Sequence, residues 1–174
     1  RSVEVGLLPD VLEPNNQPSE AFHLMRLDNG QTVSELNLDR FADDDFHRFY
    51  HPGGDATIVV ASNRSESAAE FQILGLDNAP LVRSGRPSTA EGGAIASASL
   101  SELPAGEYVL HVFGNSPTEY TVTLETDHEV DGPELIVQGL PNNLIAVAGT
   151  TLPLPLSVLN FGSKAGPITA TLRA

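Results

Sequence analysis

Apolar and polar residues alternate with a period of two through several short runs of this chain, and such a pattern dictates strands rather than helices. The clearest run places Tyr120, Val122 and Leu124 on one face and Thr121 and Thr123 on the other. A second alternates Tyr108, Leu110 and Val112 against Val109, His111 and Phe113. A third sets Phe71 and Ile73 against Glu70 and Gln72, and a β-branched run follows Asp55. Turn-forming clusters separate these runs: Asp28-Asn29-Gly30, Pro52-Gly53-Gly54, Pro104-Ala105-Gly106 and Gly114-Asn115-Ser116-Pro117. No stretch of ten or more residues carries a helical apolar stripe. The pattern predicts an all-β, antiparallel sandwich or barrel.

The composition changes near Asp127. The stretch from Glu125 to Glu134 is acidic and contains Gly132-Pro133, which predicts a linker over residues 127–132 between a domain of residues 1–126 and a segment of residues 133–174. That segment holds three strand candidates, and Pro153 and Pro155 mark one of them as an edge strand or one that switches sheets. Three strands are marginal for an independent domain. The segment is therefore expected to be the front half of something longer, and to pack on the first domain or pair with another molecule.

The 174 residues include 23 acids against 9 bases, for a formal charge of −14. Phosphate backbones and anionic lipid surfaces require clustered Lys and Arg, so nucleic acid and membrane are excluded as expected partners. The same balance attracts calcium or a cationic partner, and also serves simply to solvate an exported protein. Cysteine is absent, which removes disulfides, thiolate zinc sites and cysteine nucleophiles. No apolar run reaches the ~20 residues of a membrane span, and the opening Arg1-Ser2-Val3-Glu4 lacks the pattern of a signal peptide.

The familiar catalytic motifs are missing: no G-x-S-x-G, H-E-x-x-H, P-loop or G-x-G-x-x-G occurs. The expectation is a chain without enzymatic activity. His47 and His51 share a face if their segment is a strand, but stand about 13 Å apart there, too far for one metal. They are expected to be half-exposed strand histidines. Two acidic and amide clusters remain. Glu13, Asn15 and Asn16 flank Pro14, and Asp43-Asp44-Asp45 precede an aromatic strand from Phe46 to Tyr50. Both offer the hard oxygens that calcium takes. Three successive aspartates repel one another unless they share a cation or are solvated, so a calcium site and a solvated turn both stand as readings.

Taken in order, Glu13-Pro14-Asn15-Asn16, then Asp43 through Phe49, Ala105 through Val112, and Tyr120 through Leu124 resemble the bacterial pre-peptidase C-terminal domain family, which includes the collagen-binding domains of clostridial collagenases. The resemblance covers residues 10 to 125. It implies a jelly-roll-like β-sandwich, secreted or at the cell surface, that acts without catalysis in substrate binding, secretion or maturation. It also implies a calcium site, carried onto Glu13, Asn15, Asn16, Asp43 and Asp45.

Residues 133–174 resemble the start of a CARDB-type immunoglobulin-like domain. The match rests on the segment from Pro133 to Leu140, on Gly149-Thr150-Thr151-Leu152 leading into a strand, and on the turn Asn160-Phe161-Gly162. The fold expectation is thus a jelly-roll-like sandwich followed by a partial immunoglobulin-like segment. Its partners would be an extracellular polymer or neighbouring domains of a parent protein, with self-association through residues 133–174. A stalk that spaces other domains, and an enzyme with an unrecognised site, are the rival readings. A contiguous aromatic surface would favour the binder over the stalk.

Overall fold

In the computed structural model of the chain, the described residues are 6–24, 32–90, 92–126, 135–138 and 157–160. The chain divides into two compact units, Arg1–His128 and Glu129–Ala174. The second is described only through the strands β11 (Leu135–Gln138) and β12 (Ser157–Asn160), which pair antiparallel with Leu135 opposite Asn160. The expected linker, the prolines at 153 and 155, the Asn160-Phe161-Gly162 turn and the third strand candidate of that unit lie outside the described residues, as does the expected pairing or packing of the segment.

Among its described residues the first unit has a short 3-10 turn, Pro18–Glu20, and ten strands. They are β1 (Phe22–His23), β2 (Thr32–Leu38), β3 (Asp44–His51), β4 (Ala56–Ser62), β5 (Glu70–Leu74), β6 (Pro80–Arg83), β7 (Ser88–Ala90), β8 (Gly93–Ser99), β9 (Gly106–Phe113) and β10 (Thr118–Thr126). Two five-stranded sheets result, ordered β1-β3-β9-β5-β6 and β2-β10-β4-β8-β7. Every pairing is antiparallel except that of β1 with β3. The chain changes sheet between every pair of successive strands from β1 to β5, again from β6 to β7, and again at β8 to β9 and β9 to β10. That crossing pattern is a jelly roll, as expected.

The inner faces of the two sheets meet in one core. Leu36, Leu38, Ile58, Val60, Val122 and Leu124 from one sheet pack with Phe49, Phe71, Ile73, Leu110 and Val112 from the other. Each such side chain contributes roughly 1.5–3 kcal/mol by leaving water. The alternation read from the sequence holds along β10, where Tyr120, Val122 and Leu124 are buried and the residues between them are not. On β8 the inward residues are Ala94, Ala96 and Ala98, with Ser97 and Ser99 outward, a pattern too weakly apolar to stand out as a strand. The outer face of the first sheet also buries a small cluster of Phe46, Leu74 and Val109.

One expectation needs correction. His47 and His51 are completely buried, not half-exposed. Along β3 they alternate inward with Asp45 and Phe49, so the face that carries the aromatic core residue also carries two imidazoles and a carboxylate.

Candidate metal centre

Three segments meet at this end of the sandwich. The first is the extended stretch before the 3-10 turn, which contains Asp10, Glu13, Asn15 and Asn16. Asp10 fastens it: its Oδ1 accepts the Leu12 N–H at 2.7 Å and its Oδ2 accepts the Asn37 N–H of β2 at 2.9 Å. The Asn15 carbonyl then accepts the Phe46 N–H of β3 at 2.9 Å. Glu13 curls over this stretch, with Oε2 accepting the Asn15 N–H at 3.1 Å and the Asn16 Nδ2–H at 2.8 Å.

The second segment is the turn from β2 to β3. It passes through Ala42 in the left-handed region, at φ 54°, an uncommon conformation for a residue with a side chain. Asp43 Oδ2 closes the turn by accepting the Asp39 N–H at 2.7 Å. Asp43 is buried as a result, while Asp44 turns outward to accept from His111 Nε2 at 2.7 Å. The third segment is the start of β3, where Asp45 points into the core and accepts the Tyr120 hydroxyl proton on Oδ2 at 2.6 Å. Tyr120 has only that proton, so His47 Nε2–H must be the donor in their 2.7 Å contact. Asp45, Tyr120 and His47 form a buried polar chain that spans the two sheets.

Glu13, Asp43 and Asp45 each turn one carboxylate oxygen to a common point, and these three oxygens lie within 4.8 Å of one another. Glu13 Oε1, Asp43 Oδ1 and Asp45 Oδ1 are buried and lack a hydrogen-bond donor, and neither the Oδ1 nor the Nδ2 of the completely buried Asn15 has a hydrogen-bond partner. An orphaned buried polar group costs roughly 1–3 kcal/mol, which makes such a concentration of them unusual. Asn16 lies to one side, its Oδ1 taken by the Arg40 guanidinium. Arg40 Nη2 also stands 3.2 Å from Asp43 Oδ1, an ion pair without a hydrogen bond, and Nε stands 3.8 Å from Asp39 Oδ1.

The electrostatics follow from the burial. Loss of solvent pushes the Asp45 carboxyl up to about 8, against the hydrogen bond from Tyr120, and the charges of Asp43, Asp10 and Glu13 push the same way. Burial also raises Glu13, opposed by the hydrogen bond from the Asn15 backbone and reinforced by Asp43, Asp39 and Asp10. Asp39 is raised by burial and by the hydrogen bond and charge of Asp43. His47 is lowered to about 4 by burial and is neutral at physiological pH.

The residues present fit a hard cation. The ligand atoms that come together are carboxylate oxygens of Glu13, Asp43 and Asp45, and among the described residues no imidazole belongs to the cluster, which suits calcium or magnesium rather than zinc. Among the five residues expected to form a site, the structure joins Glu13, Asp43 and Asp45, sets Asn15 among them by its backbone bonds to Glu13 and Phe46, and engages Asn16 with Arg40. Sequence reasoning missed Arg40, Asp39 and the Tyr120–His47 chain. The signal available for the last was the inward period of Asp45, His47 and Phe49. Nothing along the chain announced that Arg40 folds back over the turn that carries it.

No protein family matches this sequence, and no curated protein matches it. Among solved structures, the 1.0 Å crystal structure of the pre-peptidase C-terminal domain of collagenase from Bacillus anthracis is similar, with a TM-score of 0.42 and 15% sequence identity, over 64% of this chain and all of that one.

Proposed function

We propose that this chain is a non-catalytic accessory module of a secreted or cell-surface protein, and that a calcium ion held by Glu13, Asn15, Asn16, Asp43 and Asp45 fastens the opening segment to the sandwich. The observation that carries this reading is the convergence of three buried carboxylate oxygens without a donor. A solvated turn, the rival reading from sequence, needs those oxygens in water. The polar chain of Asp45, Tyr120 and His47 would transmit the fastening into the core, because it ties the start of β3 to β10.

The outer face of the first sheet carries a row in which the Phe46 and His111 rings stack at 4.2 Å, the Phe113 ring follows at 5.1 Å, and the Arg83 guanidinium covers Phe113 at 5.7 Å. Phe46 in that row is buried and His111 and Phe113 are partly buried, so the row is packing and does not by itself favour attachment over a passive spacer.

A thermal melt tests the metal reading. A site with a dissociation constant near ~10⁻⁴ M gains about 1.4 kcal/mol in millimolar calcium by mass action, a rise of roughly 3–6 °C for a domain of this size. The expected result is that rise relative to EDTA, absent with magnesium and absent in Asp43→Asn. No response to calcium would return Glu13, Asp43 and Asp45 to the role of buried structural acids, and an equal response to magnesium would overturn calcium as the specific ion.

A further inference from the structure

We infer that Arg40 is a resident counter-ion of this cluster, which a divalent cation must displace to bind; the inference rests on the metal reading above. The arginine side chain is 60% exposed, whereas the Asp43 side chain it pairs with is fully buried. It therefore reaches in from solvent and places its charge on the mouth of the cluster. Its guanidinium holds Asn16 Oδ1 and faces Asp43 Oδ1, two oxygens that a bound ion would need. Both carry over from the expected ligand set, so arginine and metal compete for the same atoms.

The competition is unequal by design of the geometry. The guanidinium delivers one charge to a cluster of three carboxylates, and no hydrogen bond from it reaches Glu13 Oε1, Asp45 Oδ1 or the Asn15 amide, all of which stay orphaned. Arginine is a planar fork on a flexible stem. It discharges the rim of the cluster and leaves its floor unsatisfied. A divalent ion with six to eight oxygen ligands serves both. A long exposed side chain also leaves easily, since surface ion pairs hold it only weakly. Arg40 thus keeps the ion-free protein folded and sets the threshold at which calcium takes over.

Calorimetric titration of the full chain with calcium chloride distinguishes the possibilities, using the parent, Arg40→Gln and Arg40→Lys. Removing the resident charge is expected to tighten calcium binding a few-fold, the scale of one displaced exposed ion pair, with Arg40→Lys in between. In EDTA the order reverses, and Arg40→Gln melts below the parent because its carboxylates have lost the counter-charge that Arg40 places on the rim. Calcium binding in the parent that is unchanged or weakened in Arg40→Gln would overturn the displacement role while leaving the metal site intact. Absence of binding in all three proteins would overturn the metal reading, and this inference with it.

Discussion

The buried acid and the buried histidine make opposite demands on pH, and their difference gives the ion-free protein a defined stability profile. Asp45 is raised from its ordinary 3.8 to about 8 in the folded state. Between those values the folded chain holds a proton that the unfolded chain has released. Its contribution to stability is fully present below pH 3.8 and is lost as pH rises through 8. His47 is lowered from 6.5 to about 4. Its contribution is present above pH 6.5 and is lost as pH falls through 4.

Near pH 8 the aspartate dominates. Acidifying from pH 8 to 6 adds roughly 2.3 kcal/mol from Asp45, while the histidine removes roughly 0.8 kcal/mol, so the net gain is about 1.5 kcal/mol. Below pH 6 the two slopes nearly cancel, and stability flattens. Glu13 and Asp39, also raised, act in the same direction as Asp45. Urea denaturation in EDTA at pH 8, 7, 6 and 5 measures the profile directly, with the midpoint expected to rise on acidification and then level. Asp45→Asn, which keeps an acceptor for Tyr120 without an ionisable proton, should be more stable than the parent at pH 8 and should lose the slope between pH 8 and 6. A parent profile that is level or falling from pH 8 to 6, or an Asp45→Asn profile with the parent's slope, refutes the assignment of that slope to this carboxyl.

Replacing Tyr120 with Phe deletes both hydrogen bonds of the buried chain, orphaning Asp45 Oδ2 and His47 Nε2, and is expected to cost about 3 kcal/mol in urea denaturation at pH 7 in EDTA; a loss below ~1 kcal/mol would mean that water replaces the hydroxyl. Calcium binding on the proposed site must expel the Asp45 proton, so the dissociation constant should tighten about fivefold between pH 7 and pH 8. Titration at the two pH values in buffers of different ionisation heat reads the released proton, and a pH-independent constant would take Asp45 out of the ligand set.

The fold was legible wherever burial on one face demanded large apolar residues. Tyr120, Val122 and Leu124, or Phe71 and Ile73, reveal both strand and face because a one-residue slip would expose all of them. The alanine face of β8 gave no such signal, since Ala94, Ala96 and Ala98 are small enough to be read as loop. The site was legible as chemistry and not as geometry. Glu13 and the Asp43–Asp45 run stand 30 residues apart; their oxygens left calcium and a solvated turn both open, and the resemblance joined the two clusters into one expected site. Their burial could not be read, because an aspartate run is solvated in most contexts. Arg40 and the histidines were misjudged or passed over for a related reason: side-chain direction at a turn, and the inward face of a strand, depend on what the opposite sheet supplies.

A cluster of this kind works against the stability of the ion-free chain, and that fact bears on where the protein acts. At pH 7 most Asp45 carboxyls hold a proton that a metal must remove, which weakens binding about tenfold. Displacing Arg40 would weaken it a further few-fold on the proposed competition. Together the two penalties would move an acidic oxygen site from the micromolar range of intracellular sensors toward the ~10⁻⁴ M range of extracellular modules. A site so tuned stays empty at cytosolic calcium and fills at millimolar calcium outside the cell. The proposed secreted location and the proposed ion therefore support each other through two residues, Asp45 and Arg40. On the proposed reading the same two residues ease the ion-free state: a proton on Asp45 and the guanidinium of Arg40 cut the charge of the three carboxylates from −3 to −1, and a calcium ion would replace both.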